Sequence, residues 1–122
     1  MKIIPTIQNV LKEDSRVIFA YLYGSAIKGD SYRDIDIGVY IDKGHDSFVV
    51  SSDLKIDLSI ETGISPDQFD IQIINETNNL ICLRHVLHGR LLVDKEPDLR
   101  GDFIESFSMR YREAEGILRE AY

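Results

Sequence analysis

The chain has 122 residues, the length of one domain, and 43% of them are hydrophobic. Its net charge is −7 and no basic stripe is present, which argues against direct nucleic-acid binding, since that needs basic surface. The one cysteine, Cys82, excludes an intrachain disulfide framework and fits a reducing, cytoplasmic compartment. No apolar run reaches the roughly 18 residues of a membrane span, and the start, Met1-Lys2-Ile3-Ile4-Pro5, lacks a signal-peptide core.

In chain order, residues 5–14 read as a short helix with Pro5 in its first turn. Residues 16–23 form an apolar strand and 33–41 a second strand. Asp42 to Asp46 is a turn. Residues 47–62 are apolar without one clean period and read as a helix, which Gly63 can end. Residues 69–74 alternate as a half-buried strand, and 78–88 form a helix stopped by Gly89. A short strand at 90–94 follows. From about 96 to 121 a long helix carries Phe103, Ile104, Phe107, Tyr111, Ala114, Leu118 and Ala121 at helical spacing. Its apolar face is expected on the sheet, the alternative being that 108–122 meets another protein. The class is α/β (α+β), a small mixed sheet packed with helices in a single domain spanning 1–122.

The chemistry gathers at one place, Tyr23-Gly24-Ser25 followed by Asp34-Ile35-Asp36-Ile37. Residues two apart in a strand point the same way, so Asp34 and Asp36 share a face while Ile35, Ile37, Val39 and Ile41 take the core face. Aspartate is depleted in strands, and two side by side repel each other. A divalent ion would relieve that repulsion, and Mg²⁺ favours carboxylates, waters and phosphates. Gly24 can adopt angles closed to other residues. Ser25 is a candidate N-cap or phosphate contact, and Lys28 adds positive charge beside it. Asp70 stands on the polar side of its strand, in Phe69-Asp70-Ile71-Gln72-Ile73. Its competitor as a third carboxylate is Asp57, expected on the solvent side of the 47–62 helix. Cys82, His85 and His88 are spaced three apart, but without an obvious fourth ligand they do not read as a zinc site. Cys82 is expected to be a small core residue and His45 a solvated turn residue.

Taken together, Tyr23-Gly24-Ser25, Gly29 and Asp34-Ile35-Asp36-Ile37 resemble the signature of the DNA polymerase β nucleotidyltransferase superfamily. Within it the chain is most similar to the minimal nucleotidyltransferases (MNT). Phe69 to Glu76 resembles the strand supplying that family's third carboxylate, and Leu83 to Val93 the helix-Gly-strand segment after it. The likeness covers about residues 15–95. In three respects the chain departs from the family, one being Lys28 before Gly29, where many members have arginine. Its loop from Gly-Ser to the first Asp, Ala26 to Arg33, is shorter than usual, and Arg33 stands where serine is frequent.

The resemblance implies a polymerase-β-like fold and transfer of AMP from ATP with two Mg²⁺ ions. Asp34, Asp36 and Asp70 would be catalytic and metal-binding, and Gly24, Ser25 and Lys28 would bind the nucleotide. It also implies an antitoxin whose partner is a HEPN-type toxin, AMP going to a tyrosine hydroxyl of that partner within a hetero-oligomer. Two alternatives stay open. One is an antitoxin that neutralises by binding alone, which the shortened loop would favour. The other is a nucleotidyltransferase acting on a small molecule, although such enzymes usually carry extra helices that this chain has little room for.

Overall fold

The computed structural model describes residues 3–24 and 34–121, the side chains of 117–121 excepted. Along the chain run α1 (Ile3–Glu13), β1 (Val17–Tyr23), β2 (Ile35–Ile41), α2 (Ser47–Thr62), β3 (Phe69–Ile73), α3 (Leu80–Leu87), β4 (Arg90–Asp94) and α4 (Pro97–Ala121). The strands form one sheet in the order β3-β2-β1-β4. β1 is antiparallel to both neighbours, and β2 and β3 are parallel. The expected mixed sheet with helices is therefore present. None of the described helices is long and apolar enough to cross a membrane.

Why the sheet is covered on both faces is visible in β1. All but the last of its seven residues are buried. A strand hidden on both faces loses the alternation of a half-exposed one. On one face, α1 and α2 bury Ile7, Leu11, Val50, Leu54 and Leu58 against Leu22, Ile35, Ile37 and Val39. On the other, Phe19, Tyr21, Ile74, Leu83, Val86 and Phe107 form a second core beneath α3 and α4. A register shift between Val17 and Phe19 puts Ile18 and Phe19 into the same core despite their adjacency.

The helix boundaries follow local chemistry. Asp46 caps α2 by accepting from the Val49 N–H at 3.0 Å, and Gly63 ends it in the left-handed region at φ 76°. The blurred period of α2 has a simple cause. Val50, Leu54 and Leu58 are buried, while Phe48 and Ile60 stay 78% and 72% exposed. α1 begins two residues before the expected start, at Ile3, because the first N–H groups of a helix lack partners and Pro5 costs nothing there. α3 begins at Leu80 rather than 78, since the Asn79 side chain caps it by accepting from the Cys82 N–H at 3.1 Å. In the first half of α4, Phe103 meets Phe19 and Tyr40 at centroid distances of 5.9 and 5.4 Å. That seats the helix on the sheet, as expected. Leu118 and Ala121 belong to the side chains outside the description.

Two polar clips hold the frame that carries β2. Arg16 donates to Asp14 at 2.7 Å and to Asp53 at 2.9 Å, joining the entry of β1 to α2. Beyond the end of β3, Asn75 accepts from the Ile41 N–H at 3.1 Å and donates to the Ile41 carbonyl at 2.9 Å. Its amide thus extends the ladder by one strand-like pair.

Candidate active site

Three strands set the carboxylates. Asp36 lies in β2 opposite Tyr23 of β1 and opposite Asp70 of β3. Adjacent strands are about 4.8 Å apart, so register neighbours on one face have touching side chains. The buried Ile35, Ile37 and Val39 turn to the α1/α2 core, which sends Asp36, Gly38 and Tyr40 toward α3 and α4. Asp34 is exposed and stands just ahead of β2, and Asp70 is exposed on β3.

Asp36 is the electrostatically strained member. Burial raises its pKa above the ordinary 3.8, and the charges of Asp70 and Asp34 and a hydrogen bond with Asp70 raise it further. Two carboxyl groups bond to each other only by holding a proton between them. Among the described residues no lysine or arginine forms an ion pair with any of the three acids. Nor do three His, Cys, Asp or Glu side chains among those residues already close a cage. What exists is a converged pair, Asp36 and Asp70, with the Asp34 charge reaching it. Hard oxygen donors without a countercharge fit a divalent cation. Asp57, the rival third carboxylate, is exposed on α2, across the sheet from this pair.

Gly24 borders the pair. Its φ is 75°, and a Cβ placed there would run into the Asp36 carboxylate. Glycine is thus required at this point by conformation and by space. Ser25 and Lys28, the other expected nucleotide contacts, lie outside the described residues, as does Arg33.

A pocket of about 520 Å³ opens at Gly24 and Asp36, walled by Tyr23, by the α3 cap Asn79 and by Ile81, Cys82 and His85 of α3. Burial, then the Cys82, Asp36 and Asp70 charges, push the Tyr23 hydroxyl well above its usual range. Cys82 is raised by burial and by Asp70. The expectation that Cys82 is a core residue needs correction. It is half-buried at the edge of the core beneath α3 and lines this pocket. His88 is elsewhere, its Nδ1 2.8 Å from the Arg84 carbonyl. Tyr23, Asn79, Ile81 and His85 were not among the expected site residues. The sequence did show that Tyr23 immediately precedes the Gly24 turn, but nothing in it revealed which face of α3 meets that turn. A larger groove of about 800 Å³ lies between α1 and α2 on the opposite side of the sheet, away from the carboxylate pair.

The polymerase beta nucleotidyltransferase family model matches residues 5–98. No curated protein matches the chain. Among solved structures, a chain from a mutant MntA-HpeT toxin-antitoxin complex is similar at 18% identity and TM-score 0.70, with 97% of each chain covered. A chain from a tri-AMPylated Shewanella oneidensis HEPN toxin complexed with MNT antitoxin is similar at 21% identity and TM-score 0.66, covering 98% of this chain and 96% of that one. A chain from a toxin-antitoxin structure with AMP-PNP is similar at 22% identity and TM-score 0.68, with 97% of each covered. At these identities the likeness concerns the fold. The family model spans most of the chain, and with the paired carboxylates beside a glycine turn, the chain belongs to the polymerase β nucleotidyltransferase family.

Proposed function

We propose that this chain is a minimal nucleotidyltransferase, one domain acting as an antitoxin, which moves AMP from ATP to a tyrosine hydroxyl of a HEPN-type toxin. The observation that carries this reading is the register of Asp36 against Asp70 on parallel strands, beside the Gly24 turn. The similar structures add the biological setting, since their complexes pair toxin with antitoxin, one toxin being AMPylated and another complex holding AMP-PNP.

In the reaction, the acceptor oxygen bonds to the α-phosphorus while the bond to the β-phosphate oxygen breaks, releasing pyrophosphate. Asp34, Asp36 and Asp70 would hold the divalent ions, which when bound neutralise charge on the attacking and leaving oxygens. Asp70, at the edge and exposed, takes the hydroxyl proton. The backbone at Gly24, with Ser25 and Lys28, grips the β- and γ-phosphates. Positioning and charge neutralisation supply most of the acceleration.

The test is to produce the HEPN-type partner with wild type or with the Asp34→Ala/Asp36→Ala variant and to measure its intact mass and ribonuclease activity. AMP adducts and neutralisation with wild type alone support the reading. Neutralisation that survives in the variant, with no adduct in either case, would replace it with the contact-only antitoxin that the short Ala26 to Arg33 loop favours.

A further inference from the structure

Two faces of α2 are apolar, and the fold uses only one. Val50, Leu54 and Leu58 are buried in the core. Phe48, Val49, Ile56 and Ile60 face outward, each half exposed or more. They are four of the six large apolar side chains exposed among the described residues. At the pitch of a helix they form one stripe about 18 Å long. A lone exposed isoleucine needs no explanation, whereas a continuous stripe along one helix marks a contact surface.

The stripe has a charged edge. Toward α1 it runs through Ile60 into the groove of about 800 Å³, which Val10, Glu13, Asp14, Asp57 and Glu61 also line. Among the described residues no lysine, arginine or histidine lines that groove. Asp14 is paired with Arg16, but Glu13, Asp57 and Glu61 form no ion pair among those residues. Lys55 lies about 160° around the helix from Asp57, on the other edge of the stripe. We infer that the outer face of α2 and this groove are a docking surface for a basic amphipathic helix of the toxin. Its apolar ridge lies on Phe48, Ile56 and Ile60, and its lysines or arginines lie over Glu13, Asp57 and Glu61. The inference rests on the antitoxin reading and says where that partner is held.

Charge decides between occupants. A second copy of this chain is a poor match. Antiparallel pairing of two α2 helices sets acidic edge against acidic edge, and parallel pairing offers only Lys55 to three acids. Each copy also carries a net charge of −7. A ribonuclease must hold RNA through basic side chains, so the toxin has the surface that complements this one. Position matters as well. α1 and α2 cover the sheet face opposite the core beneath α3 and α4, toward which Asp36 points. A toxin docked here leaves the carboxylates open to the acceptor hydroxyl, so binding and transfer are separable.

Full-length protein is titrated with the purified toxin by calorimetry at about 50 and about 300 mM salt. Wild type is compared with Phe48→Ser/Ile60→Ser and with Glu13→Lys/Glu61→Lys, all at exposed positions outside the core. Met109→Ser, exposed on α4, is the control. Single-turnover AMP transfer is measured at saturating toxin. Each double variant should raise Kd about tenfold or more, the charge variant chiefly at low salt. Met109→Ser should leave Kd unchanged, and every variant should transfer AMP at the wild-type rate once saturated.

A Kd near that of wild type in both double variants would overturn the docking surface and leave the proposed activity standing. An equal loss in Met109→Ser would also overturn it, by showing that the effect is not local to α2. Sedimentation in which wild type alone dimerises and Phe48→Ser/Ile60→Ser does not would assign the stripe to a second copy. Binding that weakens as expected, with no AMP transferred even by wild type, would keep the surface and reject the activity. Failure of wild type to bind the toxin at all would reject both.

Discussion

A single methyl group at residue 38 should loosen the site without touching a carboxylate. Gly38 follows Asp36 by two positions on the same face of β2, directly beneath α3. A Cβ there would collide with the Val86 Cγ1 and press on Ile74 Cγ2 at 3.1 Å and Val86 Cγ2 at 3.2 Å. Neither neighbour can yield cheaply. Val86 and Ile74 are both 0% exposed, and a β-branched side chain is stiff at χ1. Overpacking of this kind costs typically 1–3 kcal/mol, and about 2 is expected for Gly38→Ala. For a domain of this size that lowers Tm by about 8 °C. Val86→Ala alone leaves a cavity and costs about 2 kcal/mol by loss of buried methyl groups. The double variant, with the methyl group at 38 filling part of the space left at 86, should cost at least about 1 kcal/mol less than the sum of the two. Urea unfolding of the four proteins in a cycle gives the coupling. Additivity within about 0.5 kcal/mol would refute the claim that Gly38 exists to seat α3.

Other outcomes follow from the polar features. Asp36→Asn should stabilise the protein in EDTA at neutral pH. A raised carboxyl pKa contributes stability that is fully present below 3.8 and lost as pH rises through the folded value. The gain over wild type should therefore vanish in acid and appear as pH passes above that value, read as Tm against pH. Asp14 is the opposite case, held low chiefly by its hydrogen bond from Arg16. Its contribution is present above 3.8 and lost as pH falls through the lower folded value, so Asp14→Asn should lose stability at neutral pH and converge on wild type in strong acid. Asn75→Ala removes both hydrogen bonds to Ile41 and should cost about 1–3 kcal/mol in urea unfolding. A cost below about 0.5 kcal/mol would show that the β2 end does not depend on that amide.

How much of this was legible in the sequence depended on whether the signal was local. α2 has the expected bounds because Asp46 and Gly63 are caps that act within a few residues. The two-residue period of β2 fixes the face that Asp36 takes, whereas Asp34 stands just ahead of the strand, and Gly24 announces a left-handed turn. The partnership of Asp36 with Asp70 is different. It arises from parallel pairing of β2 with β3 across the α2 crossover, and no local signal chooses between Asp70 and Asp57 as the third acid. Alternation put Asp70 on the polar face of a strand, and the resemblance named it as the third acid, but its pairing with Asp36 had no local sign. The pocket was less legible still. Its wall depends on how α3 rotates as it settles over Gly38, and rotation is decided by the contacts of Val86 and Leu83 with residues far away in sequence. Cys82 therefore looked like a core residue, although tertiary packing turns it toward Asp36.

The central claim is that Asp36 and Asp70 form one reaction centre. Its most direct measurement is the single-turnover rate of label transfer from α-labelled ATP to the HEPN-type partner, with Mg²⁺, for wild type, Asp36→Asn and Asp70→Asn. Complex formation is checked by gel filtration in each case. The expected result is a loss of roughly two or more orders of magnitude in each variant, with the complex intact, since each removes charge that steadies the transition state. A rate near wild type in Asp36→Asn would contradict the claim and show that the carboxylate pair is not where the chemistry takes place.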